Sequence, residues 1–380
     1  MRWSFVGPLI GGTFLGMYPM MTTPILIGGA VDSAHLSAEQ AGWVGTLSIG
    51  AVAIASMALP PLLRRFPGRM PLFLFAAMLV VGYLGFVVAG DFAGFSLFAL
   101  LGGVGSGGLL AGMAMRIAKT PSPDQVYGVI YAVATGIFAA LLLALPIVGG
   151  AYGIAVEFLV LALVALAMTP ALFWVRDDVV VDAVGQDVRG SRKPWGMIAV
   201  VILVMTIAFP LYGGVYAFSE RRAVSIGLSP AEIGATLGAA TVMTMLGAAL
   251  VAWVGTRPGR TIPTLVTMAI ATLSYALVLG SQGTTLFVAG MMAFGLMQMA
   301  LNSYFFGLAS VLDREGRIAA ALQGYSLVPY ALGAALFGTL GNDGNLARLA
   351  MPTVAINIIA VIILLPVLIR LDRAAKGTAA

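Results

Sequence analysis

The sequence predicts an all-α membrane protein with twelve transmembrane helices in two pseudo-symmetric six-helix bundles. Three observations predict this fold: the composition, the lengths of the uncharged stretches and the distribution of Lys and Arg. Of the 380 residues, 60% are hydrophobic and only 9% are charged, and the mean hydropathy is +1.02. A soluble chain carries about 25% charged residues because its surface faces water, so most of this exterior must face lipid.

Charged residues divide the chain into uncharged stretches, which can be compared with the roughly 20 residues that cross a bilayer. Eleven stretches are long enough to span: 3–31, 40–63, 70–90, 92–115, 125–156, 158–175, 194–219, 233–256, 261–312, 318–342 and 349–369. The ninth is too long for one helix, and the turn signal Ser281-Gln282-Gly283-Thr284 divides it into two. Twelve helices result. The runs are continuous, whereas the strands of a transmembrane β-barrel alternate over about ten residues.

The basic residues predict the orientation. With both termini in the cytoplasm, all 20 Lys and Arg except Arg221, Arg222 and Arg348 fall on the cytoplasmic side, as the positive-inside rule requires. The net charge of +5 is therefore a topology signal, and no nucleic-acid partner is expected. The chain has no Cys and one His, which excludes a disulfide framework, thiolate metal sites and a multi-His metal centre. We expect no metal, no cofactor and no catalytic residues.

A polar stretch from Arg176 to Pro194 separates the two halves and predicts three regions, which are bundle 1–175, linker 176–194 and bundle 195–380. Both halves contain a weak repeat. Each begins its second helix with a capping box, at Ser37 with Gln40 and at Ser229 with Glu232. Each then ends that helix with Pro-Gly-Arg at matched spacing, and these two elements together predict duplicated halves. The repeated tripeptides are Pro67-Gly68-Arg69 and Pro258-Gly259-Arg260.

In this arrangement the whole chain resembles the major facilitator superfamily, with two six-helix bundles, cytoplasmic termini and Gly-basic turns after helices 2 and 8. The family carries a sequence motif with an acidic residue in the loop between helices 2 and 3. The segment that ends in Gly68-Arg69 is similar to this motif but lacks the acidic residue. The end of helix 5, Pro146-Ile147-Val148-Gly149-Gly150, is similar to the tail carried by the family's antiporters. The resemblance implies alternating access around a site lined by helices 1, 4, 7 and 10, with a cytoplasmic gate. The candidate gating residues are Arg64, Arg65, Arg69 and Arg260.

Polar side chains at helical spacing inside the spans are the candidate site. On helix 7, Tyr212, Tyr216 and Glu220 fall at i, i+4 and i+8, which places them on one face. Glu220 is either an exposed acid beside two arginines or the proton-coupling carboxylate, with a pKa tuned by burial or by an adjacent Arg. The amides on helix 10 either bind substrate or hold helices together. The other candidate substrate-binding residues are Tyr18, Tyr131, Gln298, Asn302, Gln323 and Tyr330.

These patterns predict a secondary transporter and not an enzyme. We expect it to move a small neutral or amphiphilic organic solute, coupled to protons, as a monomer surrounded by lipid in a bacterial inner membrane. Three alternatives stay open at this point. They are a proton-driven drug exporter, a copper importer lined by methionines such as Met17, Met20 and Met21, and a membrane receptor or scaffold that does not transport.

Overall fold

The computed structural model describes residues 3–66, 68–117, 123–175, 194–254, 259–312, 317–342 and 344–377. Within these ranges the chain is helical and contains no strand. The α-helices are α1 Trp3–Ala34, α2 Ala38–Ala58, α3 Pro60–Arg65, α4 Met70–Val88, α5 Phe92–Ile117, α6 Pro123–Tyr152, α7 Ile154–Met168, α8 Trp195–Ala217, α9 Ser219–Ser225, α10 Pro230–Val254, α11 Thr261–Gly280, α12 Thr284–Leu312, α13 Arg317–Leu340 and α14 Ala350–Gly377. Short 3-10 turns follow α7 at Thr169–Trp174 and precede α14 at Leu346–Leu349.

The predicted fold class is confirmed. Eleven helices in the described ranges are long and apolar enough to cross a membrane, and α13 contributes a shorter apolar helix over Gly324–Leu340. The remaining two helices, α3 and α9, are too short to span. The long ninth stretch is divided where the turn signal predicts, because α11 ends at Gly280 and α12 begins at Thr284.

Both predicted capping boxes are present. The Gln40 backbone N–H donates to Ser37 Oγ at 3.2 Å, and the Ser37 N–H donates back to Gln40 Oε1 at 3.1 Å. In the second half, the Ser229 N–H donates to Glu232 Oε2 at 2.8 Å, and the Glu232 N–H approaches Ser229 Oγ at 3.4 Å. These bonds satisfy N–H groups that a helix start leaves without partners.

The second part of the repeat is also alike in the two halves. Gly68 has φ +119 and Gly259 has φ +84, a left-handed conformation that other residues rarely adopt. The proline that precedes each glycine lies outside the described residues, as does the predicted linker apart from Pro194. The domain boundaries therefore stay a prediction.

The two bundles approach each other most closely at one end of the molecule. This end, called the α1–α2 end below, contains the α1–α2, α4–α5, α6–α7, α8–α10, α11–α12 and α13–α14 connections. Here α2 packs on α13 and α6 packs on α10. Gly42 of α2 lies directly against the Ala334 carbonyl of α13, and Gly234 of α10 lies against the Leu143 carbonyl of α6. A side chain at either glycine would overlap with that backbone, so glycine is what permits the contact.

A hydrogen bond between the bundles reinforces this contact. The Thr46 hydroxyl of α2 donates to the Ala331 carbonyl of α13 at 2.7 Å and accepts from the Ala335 N–H at 2.9 Å. Farther from this end, a Cβ placed at Gly324 of α13 would instead meet the flexible side chain of Met57, 3.3 Å from its Cγ. The bundles are therefore joined backbone to backbone at the α1–α2 end.

Candidate functional site

The helix predicted to carry Tyr212, Tyr216 and Glu220 on one face is interrupted before Glu220. The long helix α8 ends at Ala217, Phe218 adopts φ −100 and ψ 9, and α9 begins at Ser219. Ser219 Oγ donates to the Tyr216 carbonyl at 2.8 Å, which satisfies an acceptor near the break. Glu220 therefore lies in the first turn of a separate short helix at the α1–α2 end, and its direction is not set by the face of α8.

Glu220 faces the other bundle. Its side chain is half-buried, and its Oε2 is inaccessible to solvent and has no hydrogen-bond donor among the described residues. A Cβ placed at Gly28 of α1 would overlap with that oxygen and would lie 2.6 Å from Glu220 Cδ. The carboxylate thus fits against the backbone of α1 only because residue 28 has no side chain.

The surroundings of Glu220 favour its protonated form. Burial raises the pKa of Glu220 to about 7; the nearby Arg221 acts to lower this pKa, and the Asp32 carboxylate acts to raise it. The guanidinium of Arg221 is itself paired with Asp32 of α1, with Arg221 Nη1 and Asp32 Oδ1 2.6 Å apart. Near neutral pH the carboxyl can therefore exist in either state.

A cavity of about 310 Å³ lies beside this carboxyl, between the two bundles. It contains three acidic side chains, which are Asp32 of α1, Glu157 of α7 and Glu220 of α9. Helices α6 and α10 also contribute to its walls. The full lining is Ile25, Gly28, Gly29, Asp32, Pro146, Gly149, Gly150, Ile154, Glu157, Glu220, Val224, Leu228, Pro230 and Ile233. Both bundles contribute to one acidic cavity.

Four of the predicted substrate-binding residues come together in the C-terminal bundle. The Tyr212 and Tyr330 rings meet edge to face with centroids 4.9 Å apart, and Tyr212 and Tyr216 both pack on Phe294. The Gln298 side chain is close to the Tyr212 hydroxyl, and Gln298 Oε1 accepts from Thr244 at 3.2 Å. This set is an aromatic cluster with one amide, and its members are nearly fully buried.

Tyr216 also links the two bundles. Its hydroxyl donates to the Met21 carbonyl of α1 at 2.7 Å. The bond is buried and joins α8 to α1. The contact between Glu220 and Gly28 joins α9, which directly follows α8, to the same helix α1.

The other predicted binding residues are dispersed. Tyr18 is buried in the N-terminal bundle, where its hydroxyl donates to the Leu161 carbonyl at 2.7 Å. Asn302 Nδ2 donates to the Gln298 carbonyl within α12 at 3.1 Å, and Tyr131 is half-buried on α6. The side chain of Gln323 lies outside the described residues.

The predicted gating arginines lie at the end opposite to the α1–α2 end. Arg64, Arg65 and Arg69 are exposed, and Arg69 Nη1 donates to the Phe173 carbonyl of its own bundle at 2.6 Å. Arg260 Nη1 lies 3.3 Å from the Gly307 carbonyl, also within its own bundle. Their role in a gate stays a prediction.

Sequence reasoning missed two residues of the acidic cavity. In the sequence alone, Glu157 fits the favourable position of an acid at the start of a helix, and Asp32 fits a solvated turn, so neither residue indicates a site. A usable signal was present in the glycine pairs Gly28-Gly29 and Gly149-Gly150, since small residues on a span allow a neighbouring group to approach closely. Arg222 was also missed. It is 5% exposed, donates to Ser225 Oγ at 3.1 Å and also donates to the Ser281 carbonyl.

Two observations concern possible metal ligands in the part of the chain that the structure describes. No group of three His, Cys, Asp or Glu residues there is arranged to hold a metal ion. Met17 and Met21 of the copper hypothesis are buried in the apolar packing of α1.

Comparisons with known proteins agree with this architecture. The family model of the Major Facilitator Superfamily matches residues 9–338. No curated protein sequence matches the chain. Among solved structures, a variant of the nucleoside transporter NupG is similar with a TM-score of 0.78 and 11% identity, covering 95% of this chain and 99% of that chain.

Two further structures are similar over comparable lengths. A bacterial homologue of the human lysosomal transporter Spinster has a TM-score of 0.70 at 13% identity, covering 94% of this chain and 95% of that chain. The human organic anion transporter MFSD10 (TETRAN) has a TM-score of 0.64 at 13% identity, covering 95% and 99%. At such low identities the likeness shows a shared fold and carries no information about the substrate.

Proposed function

The chain belongs to the Major Facilitator Superfamily, and on that basis we propose that it is a secondary transporter in which protonation of Glu220 couples the proton gradient to movement of a small organic solute. The observation that carries this proposal is the position of Glu220. Its carboxyl lies between the two bundles, with one oxygen that no described residue satisfies. An ionised carboxylate there would lack the hydrogen bonds that compensate for lost hydration, so the closed α1–α2 end favours the neutral acid.

This arrangement makes the proton a condition for closing the α1–α2 end. When the bundles separate there, water reaches Glu220, its pKa returns toward the ordinary value and the proton can leave. When they close, the carboxyl must be protonated or otherwise neutralised before it packs against Gly28. Alternating access then becomes sensitive to pH, because one of its two states binds the proton more tightly.

The aromatic cluster of the C-terminal bundle is the proposed solute site. Tyr212, Tyr216 and Tyr330 provide ring faces and hydroxyl groups, and Gln298 provides an amide. Such groups suit a neutral or amphiphilic organic molecule, which needs stacking surface and a few hydrogen bonds. Because Tyr216 also bonds to the Met21 carbonyl of α1, a solute bound at this cluster would act directly on the contact between the bundles.

We propose a bacterial inner membrane as its location, from the compact loops and the family, and cytoplasmic termini, from the distribution of Lys and Arg. In that orientation the α1–α2 end faces the outside of the cell. One coupled proton is sufficient as a driving force, because the membrane potential supplies about 2.3 kcal/mol per charge per 100 mV and supports roughly a 50-fold solute gradient.

The test is transport by purified protein in proteoliposomes. Solutes that raise the melting temperature are selected first, since a ligand stabilises the state it binds. Their flux is then measured with and without a pH gradient. We expect the gradient to drive accumulation by the unmodified chain and not by Glu220→Gln.

The matched control is Glu39→Gln, which removes an acid at the same end of the molecule that does not line the cavity. This variant should respond to the gradient as the unmodified chain does. Accumulation that is unchanged in Glu220→Gln, with the protein still folded, would remove the proposed role of Glu220. Absence of flux for every stabilising solute would favour the receptor or scaffold.

A further inference from the structure

Glu157 is a buried acid that the proposed transport mechanism does not use. It lies in the first turn of α7, is 7% exposed and lines the same cavity as Glu220. No hydrogen bond or ion pair to its carboxylate is present among the described residues. A Cβ at Gly149 of α6 would lie 2.6 Å from Glu157 Cγ and would overlap with Oε1. Glycines at 28 and 149 thus make room for one carboxylate from each bundle.

The charges of the cavity do not balance. The charged groups around Glu220 are Arg221 on its own helix, Asp32 on α1 and Glu157 on α7, while Arg222 points to Ser225 and Ser281. Arg221 is engaged by Asp32, so Glu157 and Glu220 have no facing cation among the lining residues. Two carboxylates in a partly buried space repel each other and lose hydration, and they need either protons or a bound cation.

The size and walls of the cavity indicate what kind of cation fits. Its volume of about 310 Å³ corresponds to roughly ten heavy atoms at the ~30 Å³ that a water molecule occupies in the liquid. The lining also includes apolar side chains, among them Ile154, Val224 and Ile233. A dehydrated metal ion is much smaller and needs several converging oxygen ligands, which the described residues do not arrange.

We propose that this cavity binds a small organic ammonium ion of up to about ten heavy atoms, held between Glu157 of one bundle and Glu220 of the other. Its N–H groups donate to the two carboxylates, and its carbon body lies against the apolar wall. The single positive charge of the ammonium takes the place of one proton in the cavity, so binding the cation at pH 6 releases one carboxyl proton to the solvent. The inference goes beyond the proposed function, because this cavity is a second site that shares no lining residue with the aromatic cluster proposed for the transported solute.

The binding test needs no membrane and no gradient. Isothermal titration of the purified protein uses 2-phenylethylammonium as the probe and 2-phenylethanol as its neutral counterpart of equal size. We expect the ammonium to bind at least tenfold more tightly than the alcohol. Its affinity should increase between pH 6 and pH 8, because the pKa of Glu220 is about 7 while an alkylammonium stays charged throughout this range, as a Lys side chain does.

Variants assign the binding to the cavity. Glu157→Gln and Glu220→Gln should each weaken ammonium binding by roughly tenfold to a hundredfold, the usual effect of losing a hydrogen bond to a charged group. Val224→Trp should weaken it as well by filling the cavity from a partly exposed position, and it leaves both acids in place. Glu39→Gln should bind as the unmodified chain does. The melting temperature of each variant without ligand verifies that it is folded.

Three results would overturn the proposal. Equal affinity for the alcohol would indicate an apolar site without a role for the acids. Displacement of the ammonium by MgCl₂ at millimolar concentration would indicate an inorganic cation site. Unchanged binding in Glu157→Gln and Val224→Trp would place the ligand elsewhere. Failure of the ammonium proposal is distinguishable from failure of the proposed function. Gradient-driven flux that depends on Glu220 can persist when no ammonium binds, and ammonium can bind when no gradient-driven flux occurs.

Discussion

Raising the pH through 7 should open the α1–α2 end of the molecule. In the closed arrangement the pKa of Glu220 is raised by burial to about 7, whereas the ordinary value for the side chain is 4.5. Between these two values the closed end holds a proton that the open, hydrated end releases. The closed end therefore binds more protons, and linkage requires that increasing pH destabilises it across this window.

The size of the effect follows from the two pKa values. Each pKa unit corresponds to about 1.4 kcal/mol, so the difference between 4.5 and about 7 is worth about 3 kcal/mol. If water fully restores the ordinary pKa in the open state, the equilibrium between closed and open ends shifts by roughly 100- to 300-fold. The stabilisation of the closed end is complete below about pH 4.5 and is lost by about pH 7.

The chain is well suited to a spin-label distance measurement because it contains no natural Cys. Gly90, between α4 and α5, and Gly283, between α11 and α12, are exposed at this end, one in each bundle. Both have open space where a side chain would begin. The variant Gly90→Cys with Gly283→Cys therefore accepts labels, and their distance distribution is recorded by pulsed electron paramagnetic resonance from pH 4.5 to pH 8.5.

We expect a short-distance population at low pH that gives way to a longer one near neutrality. Adding Glu220→Gln should keep the short distance across most of the range, because the amide stays neutral. A distance distribution that responds to pH equally in both proteins would refute the reasoning.

Three further predictions concern single side chains. Gly28→Ala should open the α1–α2 end and reduce transport, because the new methyl group overlaps with the facing carboxylate, while Gly50→Ala, where a Cβ meets nothing within 4 Å, should leave both unchanged. Tyr216→Phe should weaken the closed end by about 1 kcal/mol through loss of its bond to α1, seen as a larger long-distance population at pH 5. Arg222→Met should lower the melting temperature more than Arg221→Met. The Arg222 variant loses buried hydrogen bonds, whereas the Arg221 variant loses a partly exposed ion pair worth about 1 kcal/mol at most. Equal decreases in melting temperature would contradict this assignment.

The membrane-spanning helices could be predicted because the bilayer imposes a length and excludes charge. These constraints act on each segment alone, so uncharged stretches locate the twelve apolar helices without knowledge of their neighbours, but they do not indicate the short helices α3 and α9. The division at Ser281 and the capping boxes at Ser37 and Ser229 are also local, because the bonds involved join residues three apart.

The acidic cavity could not be predicted in this way. It forms only when α1, α6, α7, α9 and α10 pack together, and helical spacing gives the face of a residue but not its partner. Glu157 and Glu220 are distant in the sequence, and each has an ordinary explanation when considered alone. The break at Phe218 added a second difficulty, because the spacing from Tyr212 and Tyr216 assumes one continuous helix.

The central claim is that Glu220 couples transport to protons without being needed for solute movement itself. Counterflow in proteoliposomes tests it most directly, since labelled solute exchanges across the membrane at equal pH while gradient-driven accumulation is followed in parallel. The account predicts that Glu220→Gln keeps exchange and loses accumulation driven by the pH gradient. Loss of both in a folded variant, or retention of both, would contradict it.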